Sequence, residues 1–158
     1  MRPALLAALL SACTAETTTT DPCDGAGPAT LSLGEDTTTF VPFTNGDDVP
    51  IELSGRYGIW VGLWTTGVDT TDTATLFLRY SLDDDPETTD AGASIQLQCE
   101  DGRGIYTVFA PMADELQTAD AIQTVDGSTL HLTGTLADAT GDTASSSVDL
   151  TLSTAKVR

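Results

Sequence analysis

Thr75-Leu76-Phe77-Leu78-Arg79-Tyr80-Ser81-Leu82 alternates with a period of two. Leu76, Leu78, Tyr80 and Leu82 fall on one side of an extended chain, and Phe77, Arg79 and Ser81 on the other. A helix would scatter the same leucines around its circumference, so the stretch reads as a strand with one buried and one solvated face. Working outward, Ser94 to Cys99 repeats the pattern with Ile95, Leu97 and Cys99 inward. Ser146 to Leu152 does so with Val148, Leu150 and Leu152 inward.

The rest of the chain from residue 28 is cut into similar lengths by Gly, Asn, Asp and Pro. Thr30 to Leu33 is a strand, and Thr39 to Phe43 an edge or irregular one, because Pro42 cannot donate to a ladder. Asn45-Gly46 then predicts a hairpin that brings Val49 to Leu53 back alongside, since both residues tolerate positive φ. Arg56 to Trp64 is the longest apolar strand. Asp101-Gly102 opens a further hairpin into Ile105 to Ala110. Met112, Leu116 and Ala119 share one face of a possible helical turn. Ala121 to Val125 and Ser128 to Leu136 flank Asp126-Gly127 as another expected hairpin. Eight to ten short strands with no long helix predict an all-β fold: an immunoglobulin-like antiparallel β-sandwich, with a jelly roll or small barrel as the alternative. There is no internal repeat and no second domain.

Composition narrows function. Against 24 acidic residues stand 6 Lys and Arg, a formal net charge of −18. Such a surface repels nucleic acid and anionic lipid and favours cations, basic partners or simple solubility. A polar run, Thr17-Thr18-Thr19-Thr20, has nothing to bury and reads as a spacer.

The chain starts with Met1-Arg2-Pro3, a minimal positive region, followed by apolar Ala4 to Leu10 and the small residues Ser11-Ala12. This is the layout of an export signal, too short to span a bilayer. Leu10-Ser11-Ala12-Cys13 resembles the lipobox of bacterial lipoproteins. The resemblance covers the first 13 residues. It implies that residues 1–12 are a signal peptide, that Cys13 becomes a lipidated N-terminus, and that 13–27 is a tether carrying a domain over 28–158. Acyl chains contribute about 0.8 kcal/mol per buried methylene, so two or three hold firmly. Thr14 after the cysteine implies the outer membrane. A second likeness covers Phe40 to Trp64, with its Asn45-Gly46-Asp47-Asp48 turn, Glu52 and Tyr57-Gly58-Ile59-Trp60. It is similar to uncharacterised envelope lipoproteins predicted to be sandwiches, which carry Gly-Gly-aromatic-His at the last four positions. The missing histidine leaves only a fold implied.

With Cys13 assigned to lipid, Cys23 and Cys99 remain, and export permits them to form a disulfide. It would be worth roughly 4 kcal/mol by chain entropy and would pin the start of the domain to a central strand. His131, the only histidine, lies between Leu130 and Leu132 and points outward, and one histidine makes no transition-metal cluster. Acids offer candidate calcium ligands: Asn45, Asp47 and Asp48; Asp69 and Asp72; Asp83, Asp84, Asp85 and Glu87. A hard cation wants six to eight oxygens, which sandwich loops can pool. Trp60 and Trp64 share one face of a strand with Gly58 and Gly62 bare between them, a possible platform for sugar rings or an aromatic partner. The chain therefore reads as a non-catalytic structural or protein-interaction module of the cell envelope, held to the bilayer through Cys13. The alternative is a carbohydrate- or calcium-binding module, calcium being the only cofactor in question.

Overall fold

The computed structural model describes residues 23–35, 39–83, 85 and 88–157. The lipobox with Cys13, residues 14–22 of the tether, Asp84 and Glu87 lie outside the described residues. Two five-stranded sheets enclose one apolar core. Sheet I contains β1 (Thr30–Gly34), β3 (Glu52–Leu53), β4 (Tyr57–Thr66), β7 (Gln98–Glu100) and β8 (Arg103–Pro111). Sheet II contains β2 (Asp47–Pro50), β5 (Thr73–Leu82), β6 (Thr89–Gln96), β9 (Thr129–Ala137) and β10 (Thr143–Ser153), in the order β2-β10-β9-β5-β6.

Alternation decides what is inside. Leu76, Leu78 and Tyr80 of β5 are buried while Phe77 stands 55% exposed. Ile59, Val61 and Leu63 of β4 are sealed from solvent, as are Leu130 and Leu136 of β9 and Leu150 of β10. Each such side chain stabilises the fold by about 1.5–3 kcal/mol. The Asp101-Gly102 turn forms as expected, with φ of 48° and 78°, joining β7 to β8. Segment 39–43 is irregular: a single bridge ties Pro42 to Gly34.

Four expectations are corrected. Asn45-Gly46 turns the chain, but no hairpin forms between 39–43 and 49–53. β2 instead runs parallel to β10, and the chain crosses at Ile51 into β3 of the other sheet. Val49 and Ile51 reach the core from this path, whereas a hairpin would need Pro42 to donate. Residues Ala119–Gln123 form a short helix, α1, rather than the start of a strand. Thr118 caps it by accepting from the Ala121 amide, and Ile122 is fully buried beneath it; Asp126-Gly127 accordingly joins no hairpin. Leu97 is buried between β6 and β7 as the chain changes sheets. Past that break Cys99 turns outward on a three-residue edge strand, neither inward nor central.

Candidate functional site: the Trp60 groove

β4 is the strand that every other strand of sheet I except β7 touches. β8 covers one edge of it from Gly58 to Thr65. The other edge is shared: β3 pairs at Tyr57 and Gly58, and β1 at Gly62 to Thr66. Between them, positions 59–61 have no strand partner on this edge among the described residues. Trp60 faces outward at this gap and is 40% exposed.

The gap is the floor of an open groove of about 380 Å³ lined by Glu35, Phe43, Val49, Pro50, Glu52 and Lys156. Each wall comes from a different element: Glu35 follows β1, Phe43 precedes β2, and Lys156 follows β10. Lys156 Nζ donates to Glu52 Oε1 at 2.8 Å. Phe109, opposite Trp60 on β8, meets the indole edge-on with ring centroids 5.1 Å apart. The groove thus offers one indole, two carboxylates and an ammonium already committed to one of them.

The expected two-tryptophan platform is not built. Phe40 stacks on Trp64 at 4.5 Å and 13°, and the Arg103 guanidinium lies 4.4 Å from its ring. Trp64 is therefore a covered ring, and its Nε1 is buried without a hydrogen-bond partner among the described residues. Nor is Gly58 bare: a Cβ there would stand 2.6 Å from Phe109 Cζ, because the phenyl ring lies over the glycine. Phe109 was findable, since alternation along β8 puts it on the outer face. Lys156 was not, because nothing local connects a residue after the last strand to Trp60.

Among the described residues the acidic side chains are engaged within separate turns. Asp47 accepts from the Thr44 amide and hydroxyl at 2.7 and 2.8 Å, which hold its carboxyl below the usual range. Asp69 Oδ1 accepts from the Thr71 amide and hydroxyl, Asp83 Oδ1 from the Thr129 amide, and Asn45 Oδ1 from the Asp149 amide. Asp85 is exposed. Among the described residues no three His, Cys, Asp or Glu side chains converge on a point where a metal ion would sit. His131 lies opposite Asp149 on the outer face of sheet II, with Nδ1 2.7 Å from Oδ1. A larger hollow of about 450 Å³ includes Arg56, Tyr80, Asp90 and Glu115 in its lining. There Arg56 is paired with Asp114, and the Tyr80 hydroxyl, raised in pKa chiefly by burial, donates to the Pro111 carbonyl.

Cys23 and Cys99 are joined as a disulfide. Among the described residues no helix is long and apolar enough to cross a membrane. No protein-family model matches the chain, and no curated protein does. Among solved structures it is similar to the CooA pilin subunit from enterotoxigenic Escherichia coli, over 79% of this chain and 98% of that one, with 11% identity and a TM-score of 0.37. A likeness that distant says nothing of activity or partners.

Proposed function

We propose that this chain is a lipid-anchored, non-catalytic module of the bacterial cell envelope that grips a basic segment of a partner protein in the Trp60 groove. The observation that carries the reading is the half-open Trp60 indole flanked by Glu35 and Glu52. An aromatic face beside carboxylates is what a lysine or arginine side chain seeks; a cation over an exposed indole contributes about 0.5–1 kcal/mol. The net charge of −18 adds long-range attraction for such a partner and speeds encounter. Lys156 occupies the same carboxylate from within, so the partner's cation must displace it. The Cys23–Cys99 disulfide fits an oxidising compartment, and the lipobox supplies the anchor at Cys13, with the outer membrane as its destination.

The test has two arms. In cells, labelled palmitate is expected on the wild-type chain and absent from Cys13→Ser, which should leave the membrane fraction. In solution, a blocked Gly-Arg-Gly peptide is titrated in 0.15 M salt, with Gly-Glu-Gly as the control. Binding of the arginine peptide should quench Trp60, weaken several-fold in Trp60→Ala and tighten in Lys156→Ala. Equal binding by Trp60→Ala would reduce the effect to diffuse charge attraction and remove the groove from the proposal.

A further inference from the structure

The outer face of sheet II carries a different chemistry from the Trp60 groove. Rows of hydroxyls cross it: Thr133 on β9 bonds Ser147 on β10 at 2.8 Å, and Thr135 bonds Ser145 at 3.1 Å. At the β5 end of the Thr135–Ser145 row stands Phe77, 55% exposed and directly opposite Thr135 on one side and Gly92 on the other. A Cβ on Gly92 would lie 3.1 Å from both Cδ1 and Cε1 of Phe77. The phenyl ring therefore leans across the glycine and lies along the sheet, leaving its other face to solvent. Beside it Arg79 Nε and Nη2 donate to the two oxygens of Asp90 at 2.7 and 3.1 Å. Phe77, Arg79, Asp90, Thr133 and Thr135 together line a shallow depression of about 250 Å³.

We propose that this depression binds a neutral pyranose chain, with one sugar ring stacked on Phe77. Three observations select that ligand class over others. The hydroxyl pairs satisfy only part of each group's capacity, and every Ser or Thr oxygen keeps a further donor or acceptor for an outside hydroxyl. Among the described residues lining the depression the one cation, Arg79, is already neutralised by Asp90, on a chain of net charge −18, so uronates and sulfated sugars are repelled. A protein interface wants an apolar centre of several aromatic or aliphatic side chains, and among the residues lining this depression only Phe77 is apolar. A β-linked pyranose presents a flat face of C–H bonds to the ring and equatorial hydroxyls in the plane of the threonines and Asp90. The site is on the opposite sheet from Trp60 and stands or falls separately from the groove.

The test is a titration, followed by amide NMR, of the full-length chain carrying Cys13→Ser, which is recovered without lipid. The probes are cellohexaose and chitohexaose, with an oligo-alginate as the anionic control. The expected result is a saturable shift confined to β5, β6, β9 and β10 near Phe77, absent with alginate. Affinity should fall roughly tenfold or more in Phe77→Ala, survive in Phe77→Tyr and fall in Thr133→Val, a change that keeps side-chain shape if the alanine variant should lose its fold. Trp60→Ala should leave the shifts unchanged. Absence of saturable shifts with both neutral probes, shifts that persist in Phe77→Ala, or equal binding of alginate would each overturn the proposal.

Discussion

Asp138 fastens two loops with one carboxylate. Its Oδ1 accepts from the amide and hydroxyl of Thr140 and the amide of Asp142, at 2.9, 2.7 and 2.9 Å. Its Oδ2 accepts from the amide of Asp69 at 3.2 Å. Only 9% of the residue is exposed. Burial alone would raise its pKa, but the hydrogen bonds from Thr140, Asp69 and Asp142 outweigh burial and hold it below the ordinary value. A carboxyl depressed in the folded state contributes stability that is complete above its unfolded value, near 3.9. That contribution is lost as pH falls through the lower, folded value. Denaturant midpoints should therefore be flat above about pH 5 and decline below it, with Asp47, Asp90 and Asp126, lowered for similar reasons, adding to the slope. Asp138→Ala is expected to cost about 1–3 kcal/mol at pH 7, since it removes the shared acceptor of three amides and a hydroxyl. Asp138→Asn should make the acid limb shallower; an unchanged limb would remove Asp138 from this account. None of this was legible in the sequence, because Asp69 and Asp138 are far apart along the chain and Thr-Asp pairs are common in it. Phe77, by contrast, was placed outward by alternation alone.

Elements were legible where local chemistry fixes both their ends. Asp101-Gly102 permits little but a tight turn, and β7 and β8 flank it directly, with Glu100 opposite Arg103. Asn45-Gly46 specifies a turn equally well without specifying what pairs across it. Phe40 is drawn onto Trp64, Pro42 lacks an amide hydrogen, and the free edge of β10 takes Asp47–Pro50 in parallel instead. The short β7 has the weakest intrinsic support: all three residues are exposed, and it pairs only with β8. The disulfide supplies what packing does not, joining residues 76 apart. Cys23 is held besides by the amide and hydroxyl of Thr70, both donating to its carbonyl. Replacing both cysteines with serine should lower stability by about 2–4 kcal/mol. Amide exchange should speed up most at Gln98–Glu100 and around Cys23, and least in β9 and β10. Uniform acceleration across both sheets would mean that the bridge acts only on the unfolded chain.

At the scale of the molecule, the sandwich followed from apolar alternation because burying one face of each strand is the one demand that all the strands share. The groove did not follow, because it lies where two strands stop short on one edge of β4, and such a gap has no signature in any single stretch. Charge is also a whole-molecule property. The four described basic side chains are engaged: Arg56 with Asp114, Arg79 with Asp90, Lys156 with Glu52, and Arg103 over Trp64. The large acidic excess is left to repel itself across the surface. The Debye length shortens from about 30 Å at 0.01 M salt to about 8 Å at 0.15 M, so melting temperature should rise with sodium chloride, with most of the gain below 0.15 M. Calcium and magnesium at matched ionic strength should trace a single curve, because the described carboxylates are spread over separate turns and those of Asp47, Asp69 and Asp83 already accept hydrogen bonds. A rise specific to calcium and saturating at low millimolar concentration would require oxygens gathered within coordination distance.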